Sequence, residues 1–407
     1  MNNLIKFKYI ILGAGPAGLS FANRLLEKGE TSFLVLEKES EAGGLCRSTE
    51  VDGSPLDLGG GHFLDVRNCK VIDFLFKFMP EKEWNKFSRI SKISIENNLI
   101  DYPFESNIWQ FPLDKQVKYL LSISKAGSNL NKKMPKNFVD WISWKFGKMI
   151  ADDYMIPYNQ KIFSINLNRL GTYWLYKLPD VSMEETLLSC LEKKPSGKIP
   201  AHAEFYYPKK YGFGEVWKRM AENIKDKIIY KCPVKTIDYK NKIVNGIYCA
   251  EKIINTIPWG EINFYPNLSK NILKLIKSLE YSSIEVSYDS DLNSKDVQWT
   301  YIPDKSLYYH RILYRSNFCD NSKGGWYESN TKRLKMRTNK PEWSYVNKYS
   351  YPLNTINKPD SIKKIMKYFY SKDIYGLGRW GEWEHMNSDV AVLKGLDLAD
   401  LFVNIKK

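Results

Sequence analysis

The glycines near the N-terminus have the spacing of a dinucleotide-binding turn. Gly13, Gly15 and Gly18 form a GxGxxG pattern between an apolar run at residues 9–12 and a helix-spaced run at residues 19–26. In such a pattern the first glycine permits a sharp turn, the second lets the backbone approach a pyrophosphate, and the third permits close helix packing. The first N–H groups of the helix then face the anion. The sequence therefore predicts a strand, a turn and a helix that bind a dinucleotide.

An acidic residue and a second glycine turn follow this pattern. Glu37 ends another apolar run and lies 19 residues after Gly18, where an acid accepts hydrogen bonds from a ribose. Gly44, Leu45 and Arg47 come soon after that run, so that a guanidinium could hold the pyrophosphate from its other side. An NAD enzyme does not normally need this second contact. A solvated Arg47 on a surface loop is the alternative.

Three consecutive glycines precede His62. Because Gly60 and Gly61 carry no side chain, their backbone can lie close to a flat ring system. These glycines therefore leave room for a flat ring beside His62. A histidine that is merely packed or exposed to solvent is the alternative.

The first sixty residues resemble a superfamily of flavoproteins. This superfamily holds amine oxidases, protoporphyrinogen oxidase, phytoene desaturases and UDP-galactopyranose mutases, all of which bind FAD in this way. The resemblance implies that the dinucleotide is FAD. It also implies that the glycine loop before His62 lies beside the isoalloxazine ring, so that we expect His62 to lie against the ring of the cofactor.

Four later segments are similar to UDP-galactopyranose mutases, with signatures closer to the eukaryotic type. Residues 156–163 resemble the PYNxKxW segment, and residues 207–217 resemble the YPxxGxGxxW stretch. Residues 299–318 look like a strand pair that presents an arginine, here Arg311, to the substrate diphosphate. The most specific match is residues 378–389, which resemble the C-terminal GRxGxWxYxNMDxS signature.

This resemblance spans most of the chain and implies an isomerase of nucleotide sugars. It would interconvert UDP-galactopyranose and UDP-galactofuranose, or a close relative, by attack of N5 of reduced FAD on the anomeric carbon. Because the cofactor is then the nucleophile, the protein needs no Ser-His-Asp group and no paired carboxylates. The expected partners are a UDP-linked sugar and an external reductant that keeps the flavin reduced.

The resemblance also implies roles for individual residues. The expected catalytic residues are His62, Arg311 and Arg379. The expected cofactor-binding residues are Gly13, Gly15, Ala17, Gly18, Glu37, Gly44, Leu45, Arg47, Gly60, Gly61, His62, Val234, Gly378, Asn387, Ser388 and Asp389. The expected substrate-binding residues are Tyr158, Asn159, Phe163, Trp174, Lys177, Tyr301, Arg311, Tyr351, Arg379 and His385. No metal site is expected, because none of the four histidines pairs with another ligand at zinc spacing.

Three positions depart from the mutase pattern. Phe163 stands where the family has tryptophan, and His385 stands where it has tyrosine. Lys177 lies in the stretch where the family carries a clamp arginine, and a lysine offers a point charge without the planar guanidinium fork. The identity of the sugar therefore stays open.

The order of the predicted elements favours an α/β fold. It comprises a discontinuous Rossmann-like FAD-binding domain, an inserted helical domain and an antiparallel β-sheet substrate domain. Apolar residues at three-to-four spacing predict the helices, and stretches rich in tyrosine, tryptophan and threonine predict the sheet. The expected boundaries are 1–66, 200–285 and 370–407 for the FAD-binding domain, 67–155 for the helical insertion, and 156–199 with 286–369 for the substrate domain.

The amino-acid composition limits which partners and which cellular compartment we expect. The chain has 407 residues and a formal net charge of +15, which admits nucleic acid, an anionic membrane surface or anionic small molecules. The lysine-rich segments carry no helical stripe or spaced aromatics, so we expect neither nucleic acid nor a bilayer as partner. No apolar run is long enough to span a membrane. Six scattered cysteines without a CxxC pair favour a reduced, cytoplasmic protein.

Two other functions stay open at this point. An FAD-dependent oxidoreductase of the amine-oxidase or protoporphyrinogen-oxidase type would share the first sixty residues, but it has no reason to keep Arg311 and Arg379 together. A nucleic-acid or membrane-surface binder would account for the net charge, but it would purify without a flavin. The oligomeric state also stays open.

Overall fold

The computed structural model describes residues 4–96, 98–175, 181–197 and 203–404. The strands are β1 (Ile5–Leu12), β2 (Phe33–Leu36), β3 (Ser48–Val51), β4 (Ser54–Asp57), β5 (Leu64–Asp65), β6 (Trp84–Ser88), β7 (Ser91–Ile95), β8 (Asn98–Asp101), β9 (Glu204–Pro208), β10 (Ile228–Ile229), β11 (Thr236–Asp238), β12 (Ile243–Val244), β13 (Tyr248–Asn255), β14 (Asn263–Tyr265), β15 (Tyr281–Asp289), β16 (Trp299–Tyr301), β17 (Arg311–Tyr314), β18 (Gly325–Asn330), β19 (Trp343–Pro352) and β20 (Ile374–Gly376). The helices are α1 (Pro16–Glu27), α2 (Cys69–Phe76), α3 (Leu113–Ser124), α4 (Phe138–Ile150), α5 (Ile156–Phe163), α6 (Met183–Glu192), α7 (Gly214–Glu222), α8 (Lys270–Lys277), α9 (Lys358–Tyr370), α10 (Gly378–Gly381) and α11 (Ser388–Asn404).

The first sheet is largely parallel and has helices on both faces. Its order is β10-β2-β1-β13-β12-β11-β14, and β20 pairs with the end of β13. The fully buried side chains of β1 alternate between the two faces. Ile11 shares a core with Leu396 of α11 on one face, and Ile10 shares a core with Ile365 of α9 on the other. This arrangement confirms the predicted α/β fold with a Rossmann-like domain.

The second sheet has the order β19-β15-β18-β17-β16-β7-β8 and is antiparallel except where β16 pairs with β7. Two smaller sheets, β3-β4 and β5-β9-β6, lie beside it. A helical layer contains α3, α4, α5, α6 and a π-helical turn (Ala151–Met155), and it shares a core with β7 and β8 through residues such as Ile93 and Ile100. In the part of the chain that the structure describes, no helix is long and apolar enough to cross a membrane.

The secondary structure differs from the prediction in two blocks. Within residues 67–155, which we predicted to be helical, β6, β7 and β8 are strands; the burial of Ser91–Ile95 alternates, because that segment follows the two-residue period of a sheet. Residues 156–199 were assigned to the sheet domain, but the described part contains α5 and α6, and these helices pack in the helical layer. The domain boundaries themselves stay a prediction.

A buried arginine joins the β3–β4 hairpin to the second sheet. Arg315 follows β17 and is fully buried. Its guanidinium donates to the carbonyl oxygens of Val51 (2.9 Å) and Ser54 (3.1 Å) in the hairpin. It also donates to the carbonyl of Lys323 and to the hydroxyl of Tyr288. Since these acceptors are far apart in sequence, Arg315 is a structural rather than a substrate-binding residue.

Replacement of this guanidinium is expected to destabilise the protein. The variant Arg315→Leu leaves several buried carbonyl oxygens without a donor, and we expect it to lose about 3 kcal/mol of unfolding free energy. Urea denaturation followed by circular dichroism measures the loss. Arg169→Leu is the control, because Arg169 forms an ion pair with Glu280 while its side chain is 52% exposed. That variant should lose less than about 1 kcal/mol, and equal losses in the two variants would contradict the assignment.

Candidate active site

Of the two cavities that the predicted residues line, the larger lies at the carboxyl ends of β1 and β2, above the start of α1. Its volume is about 420 Å³. The sequence-predicted cofactor residues that line it are Gly13, Gly15, Ala17, Glu37, Gly44, Leu45, Arg47, His62, Val234, Gly378, Asn387 and Ser388. Because α1 begins at Pro16, its first N–H groups lie at this cavity and favour an anion there.

The glycine turn has the geometry that its spacing predicts. Gly13 has a φ of 101°, a conformation that side chains other than glycine rarely adopt. Gly18 does not line the cavity: a Cβ atom there would lie 2.2 Å from the carbonyl oxygen of Gly13, so this glycine serves close packing of α1 below the turn. At Gly13 and Gly15 the cavity is lined by backbone without side chains.

Glu37 and Arg47 are both engaged by the protein. The Glu37 carboxylate accepts hydrogen bonds from the backbone N–H groups of Ala14 (2.7 Å) and Glu39 (2.9 Å), and it thereby holds the glycine turn. Arg47 donates to the Gly44 carbonyl (3.0 Å) and, with another nitrogen, to the hydroxyl of Tyr345 (2.9 Å). These bonds hold both loops of the cavity in place.

The second cavity lies between the second sheet and the helical layer, and its volume is about 310 Å³. The sequence-predicted residues that line it are Leu45, Gly61, His62, Tyr158, Asn159, Phe163, Trp174, Tyr301, Arg311, Tyr351, Arg379, His385, Asn387 and Ser388. Leu45, His62, Arg379, Asn387 and Ser388 line both cavities. A ligand in one cavity can therefore contact a ligand in the other at this junction.

Several predicted residues lie elsewhere. Lys177 lies outside the described residues. Gly60 and Asp389 line neither cavity. Gly60 packs against Glu328, since a Cβ atom at Gly60 would lie 2.3 Å from a carboxylate oxygen of that residue. Asp389 is buried at the start of α11 near Asp65, and burial raises the pKa of its carboxyl.

His62 is held as a neutral imidazole at the junction. Its Nδ1 lies 2.9 Å from the carbonyl oxygen of Gly60, which can only accept, so Nδ1 carries the proton. Burial, followed by the nearby charge of Arg379, lowers the pKa of His62 to about 4. Nε2 is therefore left without a proton near neutral pH.

Arg311 is paired with a carboxylate that sequence reasoning missed. Its Nε and Nη2 donate to the two oxygens of Glu328, at 2.8 and 2.7 Å. The backbone N–H of Gly61 donates to the same carboxylate at 2.9 Å. Although burial opposes ionisation, the Arg311 charge and these bonds lower the pKa of Glu328 to about 2. The signal was present in the strands, because β17 and β18 place Arg311 opposite Glu328.

Arg379 is half-buried and has no carboxylate partner among the described residues. Its nitrogens donate to the carbonyl oxygens of Met386 (2.6 Å from Nη2) and Ser350 (2.9 Å from Nη1). Among the described residues no acid forms an ion pair with it, and burial lowers the pKa of its guanidinium. A cation that is partly withdrawn from water and not balanced by an acid favours an anion beside it. The junction of the two cavities is therefore a candidate anion site.

The remaining predicted substrate residues form an aromatic wall. The rings of Tyr158 and Tyr301 lie 5.4 Å apart, and those of Tyr351 and His385 lie 4.9 Å apart. Phe163 packs edge-on against Trp174, whose indole N–H donates to the Gly171 carbonyl. The amide of Asn159 donates to the carbonyl of Met155. Lining residues outside the predicted motifs include Arg89, Tyr102, Glu105 and Tyr154, whereas Trp299 and His310 lie in the segment 299–318 that resembles the mutase strand pair.

Comparison with known proteins agrees with this geometry. Residues 11–78 match the family described as NAD(P)-binding Rossmann-like domain. A solved structure of a reduced UDP-galactopyranose mutase has a TM-score of 0.86 at 23% identity, covering 99% of this chain and 95% of that chain. The chain has the fold of UDP-galactopyranose mutase. A cyclohexylamine oxidase from Brevibacterium oxydans has a TM-score of 0.67 at 13% identity, covering 98% of this chain and 100% of that chain.

The sequence of the chain is also similar to a UDP-galactopyranose mutase. It is 32% identical over 132 residues to that protein of Mycoplasma pneumoniae, which is 32% of this chain. The match spans 30% of the length of the curated relative. The resemblance to UDP-galactopyranose mutases that the motifs predicted is therefore confirmed, in sequence over a third of the chain and in fold over nearly all of it.

The protonation state of His62 is open to a direct test. With the pKa of His62 lowered to about 4, its imidazole should show no titration between about pH 5.5 and pH 8. NMR of ring-labelled histidine measures this, and the variant His62→Gln assigns the signal by its loss. The sign follows from burial, which disfavours the charged ring. A His62 signal that titrates near the ordinary pKa of about 6.5 would contradict the geometry.

Proposed function

We propose that this protein is an FAD-dependent mutase that interconverts UDP-galactopyranose and UDP-galactofuranose, or a closely related UDP-sugar. The observation that carries the proposal is Arg379, a half-buried cation without an acidic partner among the described residues, at the point where a dinucleotide cavity meets a second cavity. Arg311 lies in the same second cavity. Two guanidinium groups beside a dinucleotide suit a substrate that brings its own diphosphate. The likeness to UDP-galactopyranose mutase in fold and sequence supports this reading.

The residues of the larger cavity fit FAD. The start of α1 and the bare backbone at Gly13 and Gly15 accept a pyrophosphate, and Glu37 lies where a ribose would reach it. The cavity continues past Arg47 to His62 and Arg379, which leaves its ring end open to the second cavity. When bound and reduced, FAD supplies a nucleophilic nitrogen for the anomeric carbon.

The protein's own residues then bind the substrate, orient it and neutralise the charge of its diphosphate. Arg379 compensates negative charge at the junction, and Arg311 offers Nη1, which makes no hydrogen bond to any described residue. Together they stabilise the diphosphate as it leaves the sugar, because the charge on the leaving group grows at that step. His62 stays uncharged and keeps its proton on Nδ1. The rings of Tyr158 and Tyr301 exclude water from the sugar.

An FAD-dependent oxidoreductase is the second candidate. The fold likeness to cyclohexylamine oxidase favours it, at a lower TM-score than the mutase. An amine or hydrocarbon substrate gives no reason for two guanidinium groups in the substrate cavity.

The mutase proposal includes an external reductant, a cytoplasmic location and no nucleic-acid partner.

Mutase activity is expected to depend on the redox state of the cofactor. Protein treated with dithionite under anaerobic conditions should convert UDP-galactose to its furanose isomer, whereas oxidised protein should not. Anion-exchange chromatography separates the two sugars. The reaction changes no oxidation state overall, so oxygen should not be consumed in proportion to product.

Two results would contradict this proposal. Oxygen uptake matched one-to-one to product would assign the protein to the oxidoreductases. Purification of a folded protein without any flavin absorbance would remove the cofactor from the proposal.

The role of Arg379 is tested by its replacement. Arg379→Met should weaken UDP binding by at least about 30-fold, because the cation that faces the diphosphate is lost. Arg379→Lys keeps the charge without the fork and should lose less. Isothermal titration of UDP measures both. Arg219→Met is the control, since Arg219 pairs with Glu83 outside both cavities. Equal weakening by Arg219→Met would show a structural effect instead.

A further inference from the structure

Helix α5 forms one wall of the second cavity. The residues of α5 that line this cavity are Tyr158, Asn159, Ile162 and Phe163. The facing wall includes the antiparallel strands β16 and β17, which pair Tyr301 with Arg311. The distance between α5 and these strands therefore sets the width of the cavity at this place.

Lys161 lies on the same helix but lines neither cavity. Its side chain is fully buried, and its Nζ donates a hydrogen bond to the backbone carbonyl of Asp304 at 2.6 Å. Asp304 lies in the loop that connects β16 to β17, three residues after Tyr301. The amine thus joins α5 to the loop between the two strands of the facing wall.

A second polar contact joins α5 to the same sheet. Asn330, at the end of β18, is 1% exposed, and its Nδ2 donates to the carbonyl oxygen of Ile162 at 2.7 Å. Asn330 also lines neither cavity. Because β18 pairs with β17, both contacts hold α5 to the strands around Arg311. We call Lys161 and Asn330 the α5 clamp.

Packing alone does not explain a lysine at this position. Burial, followed by the nearby charge of Arg333, lowers the pKa of Lys161 to about 7, and the amine forms no ion pair within the described part of the chain. An apolar side chain of similar length would fill the space without the cost of burying an amine. What the amine adds is a directional bond, and both its protonated and its neutral form carry N–H donors.

We propose that the α5 clamp positions Tyr158 against Tyr301 and thereby fixes the width of the cavity that binds the substrate. This inference rests on the proposed function, which supplies the UDP-sugar. The ring of Tyr158 lies edge-on to Tyr301, with 5.4 Å between the ring centres, and 6.2 Å from the ring of His310, the residue before β17. Since the clamp residues line neither cavity, they are positioning residues and not catalytic ones.

Loss of the amine should loosen this wall without unfolding the protein. The loop is exposed at Asp304, so it can shift until water hydrogen-bonds the freed carbonyl. Arg311 keeps its bonds to Glu328 on β18, so the guanidinium that faces the proposed diphosphate stays in place. Binding of the substrate should therefore weaken, whereas the chemical step of the bound substrate should change little.

The test uses Lys161→Met, which removes the amine and keeps a side chain of similar length. In dithionite-reduced protein, KM for UDP-galactose should rise about tenfold, while kcat falls by less than about twofold. Isothermal titration of UDP-galactose should show a similar rise in Kd. The flavin content should stay at the wild-type level, because Lys161 lies outside the dinucleotide cavity.

Asn330→Ser tests the other half of the clamp. The Asn330 side chain also accepts a hydrogen bond from the backbone N–H of Lys332. Serine keeps an oxygen for that N–H, since it caps a helix about as well as asparagine, but it is too short to reach the Ile162 carbonyl. This variant should show the same pattern, with a raised KM at a nearly unchanged kcat.

Lys332→Met is the matched control. Lys332 is exposed, and its Nζ lies 3.4 Å from the carbonyl oxygen of Ser164, the residue after α5. The substitution removes a lysine from the same end of α5 and leaves the backbone N–H that bonds to Asn330 in place. KM and kcat should keep their wild-type values.

The outcomes separate the clamp from the proposed function. A wild-type KM in Lys161→Met would overturn the clamp with the proposed function intact. A lower kcat at unchanged KM would also overturn it, because that pattern reports a smaller fraction of folded enzyme. Failure of UDP-galactose to bind wild-type protein would instead overturn the proposed function. If Lys161→Met does not fold, KM in Asn330→Ser decides: a rise supports the inference, and a wild-type value overturns it.

Discussion

The Glu328 carboxylate connects the two halves of the site. It is 1% exposed, receives two hydrogen bonds from Arg311 and one from the backbone of Gly61, and lies so close to Gly60 that no side chain fits there. One ion pair therefore positions an arginine of the second sheet and the loop before His62 together. Removing one partner of such a buried pair typically costs about 3–5 kcal/mol, because the other charge is left uncompensated. Both the junction and the cavity wall depend on this contact.

The same contact explains why the two arginines of the proposed substrate site differ. Arg311 is balanced by Glu328 and is rigid before any ligand arrives, so it can orient a diphosphate at little further cost in ordering. The hydrogen bonds of Arg379 go to the carbonyl oxygens of Met386 and Ser350, and its charge is not balanced by any acid in the described ranges. In the proposed site Arg311 offers a fixed position for an anion, and Arg379 offers a positive charge that an anionic ligand neutralises.

Local sequence patterns predicted the Rossmann-like part of the structure far better than the part that contains the second sheet. The turn at Gly13 and the acid at Glu37 follow from spacing within one βαβ unit, where neighbours in sequence are neighbours in space. Most residues that the mutase motifs singled out also line the two cavities. Glu328 was not predicted, because the sequence does not show the strand register that places this carboxylate opposite Arg311. The strands at residues 84–101 were missed because their partners, such as β9 and β16, come much later in the chain.

The burial of each ionisable side chain determines whether it is charged in the site. A weak acid or base without a charged partner responds to a dry environment by losing its charge, as with His62, whose pKa is lowered to about 4, and Asp57, whose pKa is raised to about 7. Arginine stays protonated throughout the physiological pH range. A guanidinium that is withdrawn from water therefore keeps its charge and needs an anion or hydrogen-bond acceptors beside it. Among the described residues at the junction, the fixed charge is therefore positive and comes from Arg379. The net charge of +15 is spread over the whole chain, whereas the proposed recognition of an anion depends on two cations at the cavities, Arg311 and Arg379.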